Sequence, residues 1–128
     1  MAHIYRLPKQ AKILKTDDFS SVFNFRKRIA TAYLIMHYQP NLHQRARLGA
    51  VVSKKIAKLA VNRNYMKRVL RELFRLNQHH IAHVDLIIRV QKKFNKSDFK
   101  QIKQEFDLLI VKLNQRVKVT FSDSATVS

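Results

Sequence analysis

Hydrolysis of a phosphodiester by a polypeptide calls for carboxylates gathered to hold metal ions, or for histidines paired as acid and base. The eight acids of this chain, Asp17, Asp18, Glu72, Asp85, Asp98, Glu105, Asp107 and Asp123, are scattered along 128 residues. Asp17, Asp18 and Asp98 stand where helices should begin, and capping accounts for them. Cysteine is absent, which removes thiolate metal sites and disulfides together and suits a reducing compartment. The segment "HHIAH" sets His79 and His83 one helical turn apart. A third ligand at suitable spacing is missing there, and the segment falls where a helix should end, a place that favours histidine for its dipole. The polypeptide is therefore expected to carry no catalytic residue and no metal site.

Its chemistry lies in cations instead. The segment "AVNRNYMKRVLRELFR", residues 60–75, interleaves basic and apolar side chains. At about 100° per residue, Tyr65, Met66, Val69, Leu70, Leu73 and Leu76 form one arc of a helix, and Asn64, Lys67, Arg68, Arg71 and Arg75 form the other. Arg63 sits at the edge of the basic arc, and Lys54, Lys55 and Lys58 precede it. A solvated helix face ordinarily mixes signs to gain i,i+4 pairs, whereas Glu72 is the single acid between residues 54 and 75. The guanidinium fork grips phosphate oxygens two at a time, and an amide such as that of Asn64 can read a base or sugar edge. A phosphate-binding face is the reading these residue types favour.

The whole composition agrees. Lys and Arg number 26 against eight acids, a formal charge of +18, and such a surplus repels itself in a compact chain unless an anionic partner neutralises it. An apolar fraction of 46% is that of a folded domain, and the length suits one domain, taken as residues 1–118 with a mobile tail at 119–128. The N-terminus lacks the apolar core of a signal peptide, and runs such as "LLIV" are far shorter than the roughly 20 residues of a membrane span. A soluble, cytoplasmic protein is expected, with no membrane partner.

The elements that must hold the basic face in place follow from periodicity. Residues 1–15 read as a basic, extended lead-in. A short helix is expected at 17–25, strands at 29–40 and 47–55, the central helix at 59–79, a buried strand at 84–91, and a last helix beginning at Ser97 and Asp98. That order gives helices packed on one small sheet.

In "SKKIAKLAVNRNYMKRVLRELFR", residues 53–75, the positions Lys54, Lys55, Ala60, Arg63, Asn64, Lys67, Arg68, Arg71 and Glu72 fall in register with the basic signature of the bacterial ribonuclease P protein family. The sequence resembles that family over about residues 5–113, with "DDFSSVF", "RLGAVVSKK" and "VDLIIRV" in matching order. The resemblance implies an α+β fold, a two-layer αβββαβα sandwich of the ribosomal-protein type, whose small mixed sheet contains a left-handed βαβ crossover. It implies a ribonuclease P RNA subunit as partner, bound through Lys54, Lys55, Lys58, Arg63, Asn64, Lys67, Arg68 and Arg71. It implies precursor tRNA as substrate, its single-stranded 5′ leader held in a cleft to which Phe19, Phe23, Tyr33 and Met36 are assigned by similarity. It implies, last, that the RNA subunit performs endonucleolytic cleavage with Mg²⁺ while the protein assists.

Tyr65 stands where the signature usually has a second arginine, so one RNA contact is lost there or replaced by stacking. The segment "NFRKRIA" stands where the family tends to place a glycine after the first helix. The rival reading is a ribosomal protein or RNA chaperone, which shares charge and size but does not need the ordered signature. A membrane-surface helix is disfavoured because the apolar arc is needed to cover the sheet, and a helix-turn-helix DNA reader because strands occupy the flanks. No DNA partner is expected.

Overall fold

The computed structural model describes residue 7 and residues 9–13, 16–41 and 45–127, with side chains through Val117. Its elements are α1 (Thr16–Phe25), β1 (Lys27–Ala30), β2 (Leu34–Pro40), β3 (Arg47–Val51), α2 (Ala60–Asn77), β4 (Val84–Val90) and α3 (Phe99–Val127). The αβββαβα order implied by the family resemblance is the order observed, whereas periodicity alone merges its first two strands. Of the lead-in, residues 1–6, 8, 14 and 15 lie outside the described residues.

Several boundaries move, each for a local reason. The strand expected at 29–40 is two strands, because the chain turns at residues 31–34. Thr31 N donates to Leu34 O at 2.8 Å and the Thr31 hydroxyl accepts from Leu34 N at 3.3 Å. A threonine side chain thus does what Gly or Pro usually signals in a turn. The strand expected at 47–55 stops at Val51. Ile56 N and Ala57 N both donate to Ser53 O, at 3.1 and 3.2 Å, so Lys54 and Lys55 sit exposed in a turn rather than on the sheet. The last helix is entered through a capping box one turn ahead of α3. The Asn95 side chain accepts from Ser97 N, and the Asp98 carboxylate accepts from Asn95 N, both at 3.0 Å. The backbone of α3 continues to Val127, through a stretch in which the sequence shows no helical period.

The sheet order is β1-β2-β4-β3. β4 lies antiparallel to β2 and parallel to β3, and α2 makes the connection between the two parallel strands. Because side chains alternate across a strand, the two faces of the sheet do different work. Leu34, Met36 and Tyr38 of β2, Leu48 of β3 and Leu86, Ile88 and Val90 of β4 meet Met66, Leu70, Leu73 and Phe74 of α2 and Ile102, Phe106 and Leu109 of α3. Each such fully buried Leu, Ile or Phe stabilises the fold by roughly 1.5–3 kcal/mol. On the opposite face, Ile87 packs with Val22 and Phe19 of α1 and with Ile13 and Val51. So α2 and α3 form the layer facing the sheet, and α1 crosses part of its other face.

Within α2, Phe74 is fully buried and Leu76, assigned by the wheel to the apolar arc, is exposed. The stripe that meets the sheet is centred on Met66, Leu70 and Leu73, which brings Phe74 inside and leaves Leu76 at its rim. The free edge of β3 is covered by the lead-in, where Ile13 N donates to Leu48 O at 3.0 Å beside an isolated parallel bridge between Lys12 and Leu48.

Candidate nucleic-acid interface

The basic face forms because α2 buries one stripe and leaves the opposite one to solvent. Asn64, Arg68 and Arg71 are exposed and Lys67 lies half-buried at the rim, all within an arc of about 100°. Lys54, Lys55 and Lys58 extend the charge through the exposed approach to the helix. Arg63 has a second task. Its Nη1 donates to Ala57 O at 2.9 Å and to Lys58 O at 2.8 Å, tying that approach to the first turn of α2.

The helix start adds potential of the same sign. No side chain caps it and no acid stands in its first turn, so the positive end of the dipole is unopposed. Glu72 is engaged by Arg75, which holds its carboxyl below the usual range through a hydrogen bond and charge. None of the ion pairs among the described residues takes up Lys54, Lys55, Lys58, Arg63, Lys67, Arg68 or Arg71. A face of this composition attracts a polyanion and cannot neutralise itself.

A second surface lies on the other side of the sheet, beside α1. Phe19 and Phe23 both belong to it, but in different ways. The Phe19 ring is half-buried and occupies the space above Gly49, where an added Cβ would meet its Cε1 and Cζ at 2.8 Å. Phe23 is 37% exposed and stands edge-on to the His37 ring, with centroids 4.7 Å apart and planes at 72°. Arg28 of β1 is the cross-strand partner of His37, and Arg89 of β4 is the partner of Ile35, so two exposed guanidinium-bearing residues flank this aromatic pair.

His37 is only 8% exposed, and its Nε2 has no hydrogen-bond partner among the described residues. Burial first, and then the charges of Arg89 and Arg28, hold its imidazole below the ordinary range, so it is a neutral group on a cationic floor. Composition gave no hint of His37, Arg28 or Arg89. Their signal was parity along β1, β2 and β4, which becomes readable only once strand order and the position of α1 are known.

α1 is fixed over this surface by a buried polar knot. Arg47 donates through Nε to Asp85 Oδ1 at 2.7 Å and through Nη2 to Asp85 Oδ2 at 2.5 Å, while Asp18 of α1 lies 3.5 Å from the same Nη2. Asn41 Nδ2 donates to Asp85 Oδ1 at 2.7 Å. Ser21 adds a hydrogen bond of 2.8 Å to Gln39.

The structure does not bring Met36 or Tyr33 to Phe19 and Phe23. Met36 is 0% exposed within the core between the sheet and the α2/α3 layer, the opposite face from α1. It has no surface for a base to reach. Tyr33 precedes β2 and packs at the rim of that same core, its ring 6.5 Å from that of Phe94. Both of the strand residues assigned to the cleft therefore belong elsewhere, because β2 presents its odd-numbered residues Ile35, His37 and Gln39 to α1.

Among the described residues, no group of three or more His, Asp or Glu is placed to hold a metal ion, and no helix is long and apolar enough to cross a membrane.

Known proteins with this sequence pattern and this fold agree with one another. The profile of the family described as Ribonuclease P matches residues 7–114. The ribonuclease P protein component of Chromobacterium violaceum is 41% identical over 109 residues, covering 85% of this chain and 90% of its own. That of an Azoarcus species is 40% identical over 104 residues, covering 81% and 87%. Among solved structures, the Staphylococcus aureus RNase P protein superposes with a TM-score of 0.71 at 28% identity, over 80% of this chain and 96% of its own. The Thermotoga maritima RNase P protein gives 0.69 at 30%, over 77% and 94%. With a profile spanning most of the domain, relatives at about two-fifths identity over nearly their full length and a shared fold, this chain belongs to the ribonuclease P protein family.

Proposed function

We propose that the chain acts as the protein subunit of a ribonuclease P ribonucleoprotein in the cytoplasm. Its basic arc binds the catalytic RNA, and the surface beside α1 holds the 5′ leader of precursor tRNA, so that the assembly cleaves at the mature 5′ end. The observation that carries this reading is the presence, on one small domain, of two separate cationic surfaces. One is an unneutralised arginine and lysine face on α2, and the other is an aromatic pair, Phe23 over His37, flanked by Arg28 and Arg89.

The division of labour follows from the side chains. Arg68 and Arg71, with Lys67 and the lysines at 54, 55 and 58, neutralise phosphates of a folded RNA, and Asn64 reaches a sugar or base edge. Phe23 offers an exposed ring on which an unpaired base stacks, and Arg28 and Arg89 follow the backbone of a single strand. His37 presents a neutral imidazole nitrogen, without a partner among the described residues, beneath that ring. The protein thereby raises the affinity for substrates that still carry a leader.

Most of the acids among the described residues are already engaged: Asp85 and Asp18 with Arg47, Glu72 with Arg75, Asp107 with Lys103, and Glu105 with Thr31 and Gln101. This reading accordingly assigns to the RNA subunit the Mg²⁺ that the cleavage would use.

The test is cleavage of a 5′-labelled precursor tRNA at low Mg²⁺ by the protein alone, by a bacterial ribonuclease P RNA alone, and by both. Cleavage at the mature 5′ end in the mixture alone is expected. An RNA whose rate is unchanged by the protein would return the chain to the role of a general RNA chaperone.

A further inference from the structure

Tyr65 and Tyr33 come from different elements and are brought to one place. Tyr65 stands on α2 beside the basic arc, Tyr33 just ahead of β2, and Phe94 lies between them in the connection from β4 to α3. The rings of Tyr65 and Phe94 are 6.3 Å apart at 64°, and those of Phe94 and Tyr33 6.5 Å apart at 79°. Phe94 is buried and forms the wall, whereas both tyrosines are partly exposed. Each tyrosine also has a cation beside it. Lys92 Nζ lies 4.8 Å from the centroid of the Tyr33 ring, and Arg68 stands three residues after Tyr65, on the neighbouring helix surface.

The position of Tyr33 is held more firmly than a rim residue requires. Its N–H donates to the buried Glu105 Oε1 at 2.9 Å, its carbonyl accepts from Gln91 N at 2.8 Å, and the Thr31 hydroxyl donates to the same Glu105 oxygen at 2.6 Å. Among the described residues neither tyrosine hydroxyl is engaged, so each ring has an apolar body against Phe94 and a wet polar tip, the form favoured at interfaces.

We infer that Tyr33, Phe94 and Tyr65 form a second stacking platform, which receives an unstacked base of the RNA partner while Arg68 and Lys92 take its flanking phosphates. The surface lies on the α2/α3 side of the sheet, continuous with the basic arc and separated from Phe23 and His37 by the sheet itself. It rests on the proposed RNA-binding role and adds to it a place where sequence-tolerant stacking replaces charge. An arginine at position 65 would contribute one more phosphate contact there; tyrosine contributes a face for a base.

The test uses the full chain and a bacterial ribonuclease P RNA. Tyr65→Leu and Tyr33→Leu keep apolar bulk against Phe94, and each is expected to weaken binding by about five- to a hundredfold with the salt slope unchanged, as loss of stacking does. Tyr65→Phe and Tyr33→Phe keep the ring and are expected to bind as the parent does. Arg68→Ala serves as the separate arm: it should weaken binding and flatten the salt slope by roughly 0.7–0.9. Ultraviolet cross-linking of the parent complex is expected to leave a nucleotide adduct on the peptide containing Tyr33 or Tyr65. Undiminished affinity in both leucine variants, with Arg68→Ala impaired, would overturn the platform and leave the RNA-binding role standing. Undiminished affinity in all three would overturn the role on which it rests.

Discussion

Arg47→Ala is the substitution from which the structure demands most. Among the described residues Arg47 is the bidentate partner of Asp85, whose side chain is 10% exposed, and the same guanidinium reaches Asp18 on α1. Its charge is held more firmly than usual, by the hydrogen bond to Asp85 first and then by the charges of Asp85 and Asp18, against the cost of burial. Deleting it strands the Asp85 carboxylate with Asn41 as its remaining side-chain donor among the described residues. Breaking a buried pair from one side costs about 3–5 kcal/mol, a large part of the roughly 5–15 kcal/mol that holds a domain folded. At this chain length that corresponds to a fall in melting temperature of about 10–20 °C.

The cost belongs to the abandoned charge rather than to the pair. Arg47→Met combined with Asp85→Leu should therefore recover most of the loss. The functional readout separates α1 from the rest. With Asp18 released, the preference for leader-bearing over mature tRNA should fall in the double variant even where stability has returned, while affinity for the RNA subunit stays. Thermal melts of the two variants, followed by competition binding with the two tRNA forms, check both halves. A melting temperature for Arg47→Ala within a few degrees of the parent would refute the burial reasoning, and an unchanged leader preference in the stable double variant would refute the tethering of the cleft.

Gly49→Ala should cost about 1–3 kcal/mol, because the new Cβ displaces the Phe19 ring, and circular-dichroism melts with leader-binding assays should show both a small destabilisation and a weaker leader preference. His37 should make stability fall with acid. Its folded-state pKa lies below the unfolded value of about 6.5, so the unfolded chain binds more protons in the window at and below about 6.5, and melting temperature should drop as pH falls through it, less so in His37→Phe. Arg63→Ala should lower both RNA affinity and the melting temperature, since it frees the carbonyls of Ala57 and Lys58, whereas Arg71→Ala should lower affinity alone; equal melting temperatures for the two would contradict the tie.

The sequence was most legible where one physical signal acts alone. The period of α2 separates charge from apolar surface because a helix on a sheet has one wet side, and the basic arc stands where the wheel puts it. The same wheel erred at Leu76 and left Phe74 unassigned, two residues near the rim of the stripe, where a small rotation of the helix decides which side chain is covered. The division of residues 29–40 into two strands was hidden because the turn is made by Thr31 and its hydroxyl, in a stretch whose composition reads as strand throughout.

The leader cleft shows the deeper limit. β2 is buried at both parities up to Tyr38, with Leu34, Met36 and Tyr38 alternating with Ile35 and His37, and its apolar start, Leu34, Ile35 and Met36, shows no alternation. Parity alone then cannot say which residues face α1, and Met36 is the more hydrophobic choice for a cleft only if the cleft is on its side. The answer is set by β4 standing between β2 and β3, with Ile87 under Val22 on one face and Leu86 and Ile88 under the α2/α3 layer on the other. Strand order is a property of long-range pairing, and the polar residues that mark the cleft face, Arg28, His37 and Arg89, come from three strands that meet only after it is fixed. The cleft face is thus assembled by hydrophobic contacts made elsewhere, and a substitution at Ile87 or Val22 should disturb leader binding as surely as one at Phe23.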